Sequence, residues 1–194
     1  MGLPTVFIRL TGCPLRCSYC DTEYAFHGGN WLTIDAIVAQ VQTFPTRHVT
    51  VTGGEPLAQK PCHSLLTALC DAGFDVSLET SGALEVATVD PRVARIVDVK
   101  TPASGEADRN CWANLALLTP RDEVKFVLVN EADYLWAKQV LQEHHLTQHC
   151  PVLFSPAWSV LDATALAAWI LRDGLPVRMQ IQLHKILWQE ARGR

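Results

Sequence analysis

The chain has 194 residues, of which 48% are hydrophobic and 19% charged, and its formal net charge is −4. This composition is typical of one folded domain with a sizeable core, and it excludes disorder as the main state. No stretch approaches the roughly 18 to 20 continuous apolar residues of a membrane-spanning helix. The lack of a Lys/Arg block argues against long nucleic acid as a partner, so we expect a small-molecule substrate. The first residues lack the pattern of a secretory signal, which predicts a cytoplasmic protein.

The sequence predicts strands and helices that alternate along the chain. Strands are predicted over 5–10, 48–52, 74–78, 94–99, 124–129, 152–154 and 177–183. Helices are predicted over 33–42, 63–71, 131–144 and 162–172, and a long loop over 101–114. This alternation predicts parallel strands with right-handed crossovers. Because six or seven strands are fewer than the eight of a closed barrel, we predict an α/β fold with an incomplete (β/α) TIM-like barrel, and a single domain over 1–194.

Polar and glycine-rich clusters follow the carboxyl ends of the predicted strands. They cover 13–22, 52–56, 79–82 and 100–102. In parallel α/β folds this edge of the sheet binds ligands, so we expect the functional site there.

Three of the seven cysteines, Cys13, Cys17 and Cys20, lie within eight residues of one another. Three thiolates on one loop can bind a metal centre and leave a fourth position open, as reactive centres require. A zinc site completed by Asp21 or His27 is the alternative. The remaining cysteines are expected to pack as small apolar side chains: Cys62, Cys70, Cys111 and Cys150.

A second motif, Gly53 and Gly54 followed by Glu55, ends the next predicted strand. Glycines let the backbone approach a ligand closely. Either the carboxylate or free backbone carbonyls can accept hydrogen bonds from an ammonium group.

The C-x3-C-x2-C spacing directly after a strand resembles the radical S-adenosylmethionine superfamily, and the glycine turn resembles the motif that binds the amino group of the cofactor there. Within that superfamily the chain resembles the 7-carboxy-7-deazaguanine synthase family over 7–22, 51–56, 78–82, 98–100, 154–156 and 180–185. The discriminating pieces are Cys20-Asp21-Thr22 and the late Gln-x-His-Lys ending at His184 and Lys185.

The resemblance implies conversion of 6-carboxy-5,6,7,8-tetrahydropterin to 7-carboxy-7-deazaguanine with loss of ammonia, in queuosine and 7-deazapurine biosynthesis. It implies a 4Fe-4S cluster, S-adenosylmethionine as a regenerated cofactor, and a magnesium ion that supports the substrate. It also implies flavodoxin or ferredoxin as electron donor and a homodimer.

The resemblance assigns roles to individual residues. The cluster ligands are Cys13, Cys17 and Cys20, and the magnesium ligand is Thr22. The substrate contacts are Arg9, whose guanidinium suits a pterin carboxylate, Thr52 and His184. The cofactor contacts are Tyr19, Cys20, Asp21, Gly54, Asp98, Val99, Lys100, Ser155 and Pro156. From its place at a strand end, Glu79 is a candidate acid or base, with a capping or salt-bridge role as the alternative.

Two other functions fit part of the pattern. One is a radical activase that abstracts hydrogen from a glycyl residue of a partner protein, and the other is a zinc-stabilised binding module.

The resemblance also implies a Gln-Gly-Glu segment ahead of the first strand, whereas this chain begins at Met1. We therefore expect the amino-terminal segment of the family to be missing, which exposes a sheet edge. Adding it is expected to raise turnover and solubility.

Overall fold

The computed structural model describes residues 2–189, which build one seven-stranded sheet. The strands are β1 Thr5–Leu10, β2 His48–Gly53, β3 Asp75–Thr80, β4 Ala94–Asp98, β5 Glu123–Leu128, β6 Val152–Pro156 and β7 Arg178–Met179. They lie in sequence order and every neighbouring pair is parallel. Since β1 and β7 lie at opposite edges, the sheet is not closed. The predicted incomplete (β/α) barrel is confirmed.

The helices are α1 Ile34–Val41, α2 Cys62–Asp71, α3 Glu131–Glu143, α4 Leu146–His149, α5 Ala163–Asp173 and α6 Leu183–Trp188. Their starts follow ordinary capping chemistry. The side chain of Thr33 accepts a hydrogen bond at the start of α1, and that of Asp162 accepts one at the start of α5. In place of the long loop predicted over 101–114, three short 3-10 helices cover Pro102–Ser104, Ala107–Arg109 and Trp112–Leu117. No helix in residues 2–189 is both long and apolar enough to cross a membrane.

The two faces of the sheet differ in chemistry. On one face, buried residues such as Val51 and Leu78 pack with side chains of α1 and α2, and around β5 and β6 the rings of Phe126 and Phe154 meet edge to face at 5.5 Å. On the other face, Thr50 and its neighbour on β3 share a hydroxyl hydrogen bond of 2.8 Å. Helices therefore cover the apolar face, and the polar face forms the inner side of the barrel.

The prediction of a last strand over 177–183 is wrong beyond its first residues. Strand β7 has two residues, and the chain enters α6 at Leu183. Because Leu183, Ile186 and Leu187 recur at spacings of three and four residues, this segment has the period of a helix. His184 therefore lies on a helix and not on an apolar strand.

A buried ion pair stabilises the end of the sheet opposite the predicted site. The carboxylate of Asp122 is 2% exposed, and it accepts hydrogen bonds from the backbone and guanidinium of Arg95 and from the backbone and hydroxyl of Thr119. Burial by itself raises the pKa of this carboxyl, but these hydrogen bonds outweigh burial and hold the pKa of Asp122 below its usual range.

We expect Asp122→Ala to lower the free energy of unfolding by about 3 kcal/mol, because it leaves the largely buried Arg95 guanidinium without its carboxylate partner. Urea denaturation at pH 7 measures this loss. The matched control is Glu131→Ala, which removes an exposed pair with Arg172 and should cost at most about 1 kcal/mol.

The same pair predicts a pH dependence. A carboxyl whose pKa is lowered on folding stabilises the protein above its unfolded pKa of about 3.9, and this contribution is lost as the pH falls below that value. The stability difference between wild type and Asp122→Ala should therefore shrink below about pH 4. A constant difference across this range would contradict the assignment.

Candidate active site

The polar clusters meet at the carboxyl edge of the sheet, as predicted. The turn after β2 contacts the loop after β1, since the backbone N–H of Gly54 donates to the carbonyl of Leu10 (3.0 Å) and that of Glu55 donates to the carbonyl of Gly12 (2.8 Å). Parallel strands place these loops side by side, so short backbone contacts join motifs that are forty residues apart in sequence.

The cysteine loop is fixed from two sides. The side chain of Leu15 is 1% exposed and anchors the loop in the protein. Ser18 donates its backbone N–H to the carbonyl of Ser104 (3.0 Å) and its hydroxyl to the carbonyl of Ala103 (2.7 Å). The loop thus presents three free and partly buried thiols, those of Cys13, Cys17 and Cys20.

A buried carboxylate holds in place the segment around Ala103 and Ser104, which the cysteine loop contacts. Asp133 in the first turn of α3 is 1% exposed and accepts hydrogen bonds from the Thr101 hydroxyl (2.8 Å), the Ala103 N–H (3.0 Å) and the Val129 N–H (3.1 Å). Sequence reasoning missed this residue, because an acidic residue early in a helix ordinarily serves the helix end.

The three loop thiols are candidate ligands of a metal centre. A zinc ion needs all its ligands about one point, whereas the thiolates of an iron-sulfur cluster bind different iron atoms. Burial raises the pKa of Cys17 and of Cys20, so metal binding at these thiols must release protons.

The glycine turn lies against the first cysteine. A Cβ atom built on Gly54 would stand 2.7 Å from the Cβ of Cys13, closer than real Cβ atoms approach one another. Only glycine allows the turn and the cysteine loop to approach so closely.

Glu55 does not serve a ligand. Its side chain is fully buried and accepts hydrogen bonds from the Leu57 N–H, the Thr80 hydroxyl, and both the N–H and hydroxyl of Ser81. Of the two acceptors expected for an ammonium group, the carboxylate is therefore already engaged. The backbone carbonyls of the turn are the acceptors left for a cofactor.

Unpaired buried polar atoms lie where the end of β4 meets the cysteine loop. Lys100 Nζ lies 2.8 Å from Asp98 Oδ2 and 5.9 Å from the centre of the Tyr19 ring. Burial by itself lowers the pKa of Lys100, but Asp98 and Tyr19 outweigh it and raise that pKa above its ordinary value. In the described part of the chain, the Tyr19 hydroxyl and Asp98 Oδ1 are buried without a hydrogen-bond partner.

These unpaired atoms fit a polar cofactor with hydroxyl, amino and carboxylate groups, since a buried polar atom without a partner costs about 1–3 kcal/mol. The Val99 side chain belongs to the core, being 3% exposed, so only its backbone is available to such a ligand.

Three residues that were predicted to act on the substrate form a row on the inner side of the barrel. Arg9 on β1 is in register with Thr52 on β2, and its Nη1 donates to the carbonyl of Gly53 (3.2 Å). The Thr52 hydroxyl in turn donates to Oε2 of Glu79 on β3 (3.2 Å). A cation, a hydroxyl and a carboxylate thus lie on adjacent strands.

Two residues of the Gln-x-His-Lys motif, Gln182 and Lys185, contact the cysteine loop at Asp21. The Asp21 carboxylate has partners on both oxygens. Its Oδ1 accepts from the Thr22 hydroxyl (2.8 Å), while its Oδ2 accepts from Gln182 Nε2 and lies 3.0 Å from Lys185 Nζ. Burial by itself raises the pKa of Asp21, but hydrogen bonds from Gln182, Thr22 and Lys185 outweigh it and lower the pKa to about 2. Asp21 is therefore ionised at neutral pH.

Two of the contacting residues, Gln182 and Lys185, had no predicted role. The expected substrate residue His184 is exposed and lies next to Lys185 on α6. Ser155 and Pro156 close β6, and the Ser155 side chain is 4% exposed.

Comparison with known proteins defines the class. The model of the radical SAM superfamily matches residues 7–126, which include the cysteine loop and the glycine turn. The chain is thus a member of the radical SAM superfamily. It is 50% identical to the 7-carboxy-7-deazaguanine synthase of Chlorobaculum tepidum, over 99% of this chain and 89% of that one. It is 42% identical to the synthase of the same name from Koribacter versatilis, over 99% and 92%. The chain belongs to the 7-carboxy-7-deazaguanine synthase family.

Solved structures share the fold. The crystal structure of QueE from Escherichia coli has a TM-score of 0.74 at 23% identity, over 93% of this chain and 86% of that one. Streptococcus suis SuiB bound to S-adenosylmethionine has a TM-score of 0.61 at 12% identity, over 92% and 46%. The family membership, which rests on the curated relatives, favours the synthase over the glycyl-radical activase.

We expect alanine at Cys13, Cys17 or Cys20 to abolish cluster binding, because each thiolate is predicted to be one of three protein ligands. Iron and sulfide content and the visible absorption spectrum after anaerobic reconstitution measure this loss. Cys70→Ala on α2 is the matched control and should keep the full cluster. Normal iron content in any of the three loop variants would show that its thiol is not a ligand.

Proposed function

We propose that the chain is a 7-carboxy-7-deazaguanine synthase, which converts 6-carboxy-5,6,7,8-tetrahydropterin to 7-carboxy-7-deazaguanine with loss of ammonia. The reaction serves 7-deazapurine and queuosine biosynthesis. The observation that carries the proposal is the packing of Gly54 against Cys13, which joins the two motifs of a radical enzyme in a chain half identical to a named synthase.

Cys13, Cys17 and Cys20 would hold a 4Fe-4S cluster. S-adenosylmethionine would lie beside it, against Tyr19 and Asp98, which carry unpaired buried atoms, and against the glycine turn at Gly54. The other proposed cofactor contacts are those that the family resemblance assigns: Cys20, Asp21, Val99 (by its backbone), Lys100, Ser155 and Pro156. When bound, the cluster and S-adenosylmethionine supply the one-electron chemistry that starts the reaction. The chain's part is to bind and orient the substrate and to move protons.

Arg9, Thr52 and Glu79 form the substrate side. The Arg9 guanidinium is exposed toward the site and suits the pterin carboxylate. Glu79 Oε2 accepts from Thr52, which fixes the orientation of the carboxylate, and we assign proton exchange with the substrate during ring contraction to Glu79 Oε1. His184 would contact the substrate from α6.

Thr22 is the proposed magnesium ligand. Its hydroxyl hydrogen points to Asp21, so its oxygen lone pairs are available to a cation. One hydroxyl is a weak ligand, and the other ligands of the ion would be substrate oxygens and waters.

The proposed electron donor is a flavodoxin or ferredoxin. The three loop thiols are only partly buried and the neighbouring Arg16 is exposed, which supports the approach of a protein donor to this loop. The free thiols also favour a reducing cytoplasm.

We also propose a homodimer. Symmetric dimers are the commonest soluble assemblies. Helix α6 offers exposed apolar side chains for such a contact: Leu183, Ile186, Leu187 and Trp188.

The test is an anaerobic assay of the reconstituted protein with S-adenosylmethionine, magnesium, reductant and 6-carboxytetrahydropterin. We expect mass spectrometry to detect 7-carboxy-7-deazaguanine, and no product from Cys17→Ala. A cluster-loaded protein that cleaves S-adenosylmethionine without forming this product would refute the proposal.

We expect Glu79→Gln to lower turnover by about 100-fold or more, because an amide cannot exchange a proton at this position. Binding of S-adenosylmethionine, followed by calorimetry, should not change. Glu85→Gln removes an exposed carboxylate just after β3 and is the control. Equal turnover in both variants would assign Glu79 a structural role.

A further inference from the structure

The Asp21 carboxylate connects the loop after β1 with the start of α6, at the open side of the barrel. Asp21 follows β1, the first edge strand, and its contact Gln182 lies 161 residues later, after β7, the other edge strand. In residues 2–189 no backbone ladder joins β1 to β7. Side chains therefore make this connection.

The chemistry of the contact fixes its orientation. A carboxylate only accepts hydrogen bonds, so Thr22 must turn its hydroxyl hydrogen toward Asp21, and Gln182 must turn its NH2 group. Thr22 thus engages Oδ1 of Asp21 from the side of β1, and Gln182 engages Oδ2 from the side of β7.

Lys185 completes the contact. Its side chain is 10% exposed, its Nζ lies 3.0 Å from Asp21 Oδ2, and it stands 5.6 Å from the centre of the Trp158 ring in the loop after β6. One lysine thus touches the loops that follow β1 and β6. Gln182 occupies the N-cap position of α6 without a side-chain capping hydrogen bond, and Lys185 is the third residue of the helix, so the two face the same side.

Helix α6 depends on these contacts for its position. It has six residues, too few for a helix to be stable by itself. Within one subunit its apolar side chains are largely exposed, among them Ile186 at 53% and Leu187 at 57%, so they contribute little to holding it on its own barrel.

We propose that Asp21 is a positioning residue that fastens α6 across the open side of the barrel through Lys185 and Gln182 and thereby holds His184 at the substrate side. The role of His184 toward the pterin rests on the proposed function; the fastening of α6 does not.

The first test is amide hydrogen exchange of the full chain without cofactor or substrate. We expect the amides of 183–188 to exchange about tenfold faster in Asp21→Asn and in Lys185→Met, because the helix opens locally more often. Lys185→Arg keeps the charge and should stay near wild type, as should Asp35→Asn, which removes an exposed carboxylate on α1. The urea midpoint should change little in Lys185→Met, since the sheet is untouched. Unchanged exchange of α6 in both Asp21→Asn and Lys185→Met would overturn the proposal.

The second test separates positioning from a structural role. In Lys185→Met we expect the KM for 6-carboxytetrahydropterin to rise about tenfold, with the affinity for S-adenosylmethionine unchanged and Lys185→Arg restoring the KM. Faster exchange of α6 with an unchanged KM would overturn the claim that α6 holds His184 at the substrate side. A wild-type chain that forms no product would refute the proposed function instead, and the exchange experiment would still decide whether Asp21 fastens α6.

Discussion

The close contact between two backbone loops, the cysteine loop and the turn at Gly54, determines the geometry of the site. A side chain at Gly54 would collide with Cys13, so the contact exists only because that residue has no Cβ. It also turns Glu55 inward, where its carboxylate holds the hydroxyls of Thr80 and Ser81 at the end of the next strand. The ends of three strands are thus linked in succession, and the cofactor side of the site has a rigid wall.

Carboxylates around this edge divide into two kinds. Glu55 and Asp133 are buried and accept several hydrogen bonds each, which keeps them oriented and leaves little of their oxygen surface for a ligand. Glu79 has a single hydroxyl partner and is only partly buried. The number of donors around each carboxylate therefore distinguishes Glu55 and Asp133, which hold the fold together, from Glu79, whose oxygen surface is largely available to a ligand.

The sequence predicted β1 to β6, their parallel order and the loops that meet at one edge, because strand period, turn residues and cysteine spacing are local signals. It did not predict the roles of Gln182 and Lys185. The strand predicted over 177–183 includes Gln182 and ends before Lys185. In a strand residues three apart point to opposite faces, whereas in the observed helix they share one. The supports from Asp133 and Glu55 were also missed, since their partners lie about 25 to 30 residues away and sequence period carries no information on such contacts.

In a closed barrel, strand number and stagger together fix the diameter. In residues 2–189 the seven strands end at two unpaired edges, so their hydrogen bonds set the local twist but no ring fixes the radius. The distance between the two edges then depends on the side chains that bridge the gap, and a substitution there changes that distance without altering strand register. The open side of such a sheet can widen or narrow while the pairing of β1 with β2, beside the cysteine loop, stays constant.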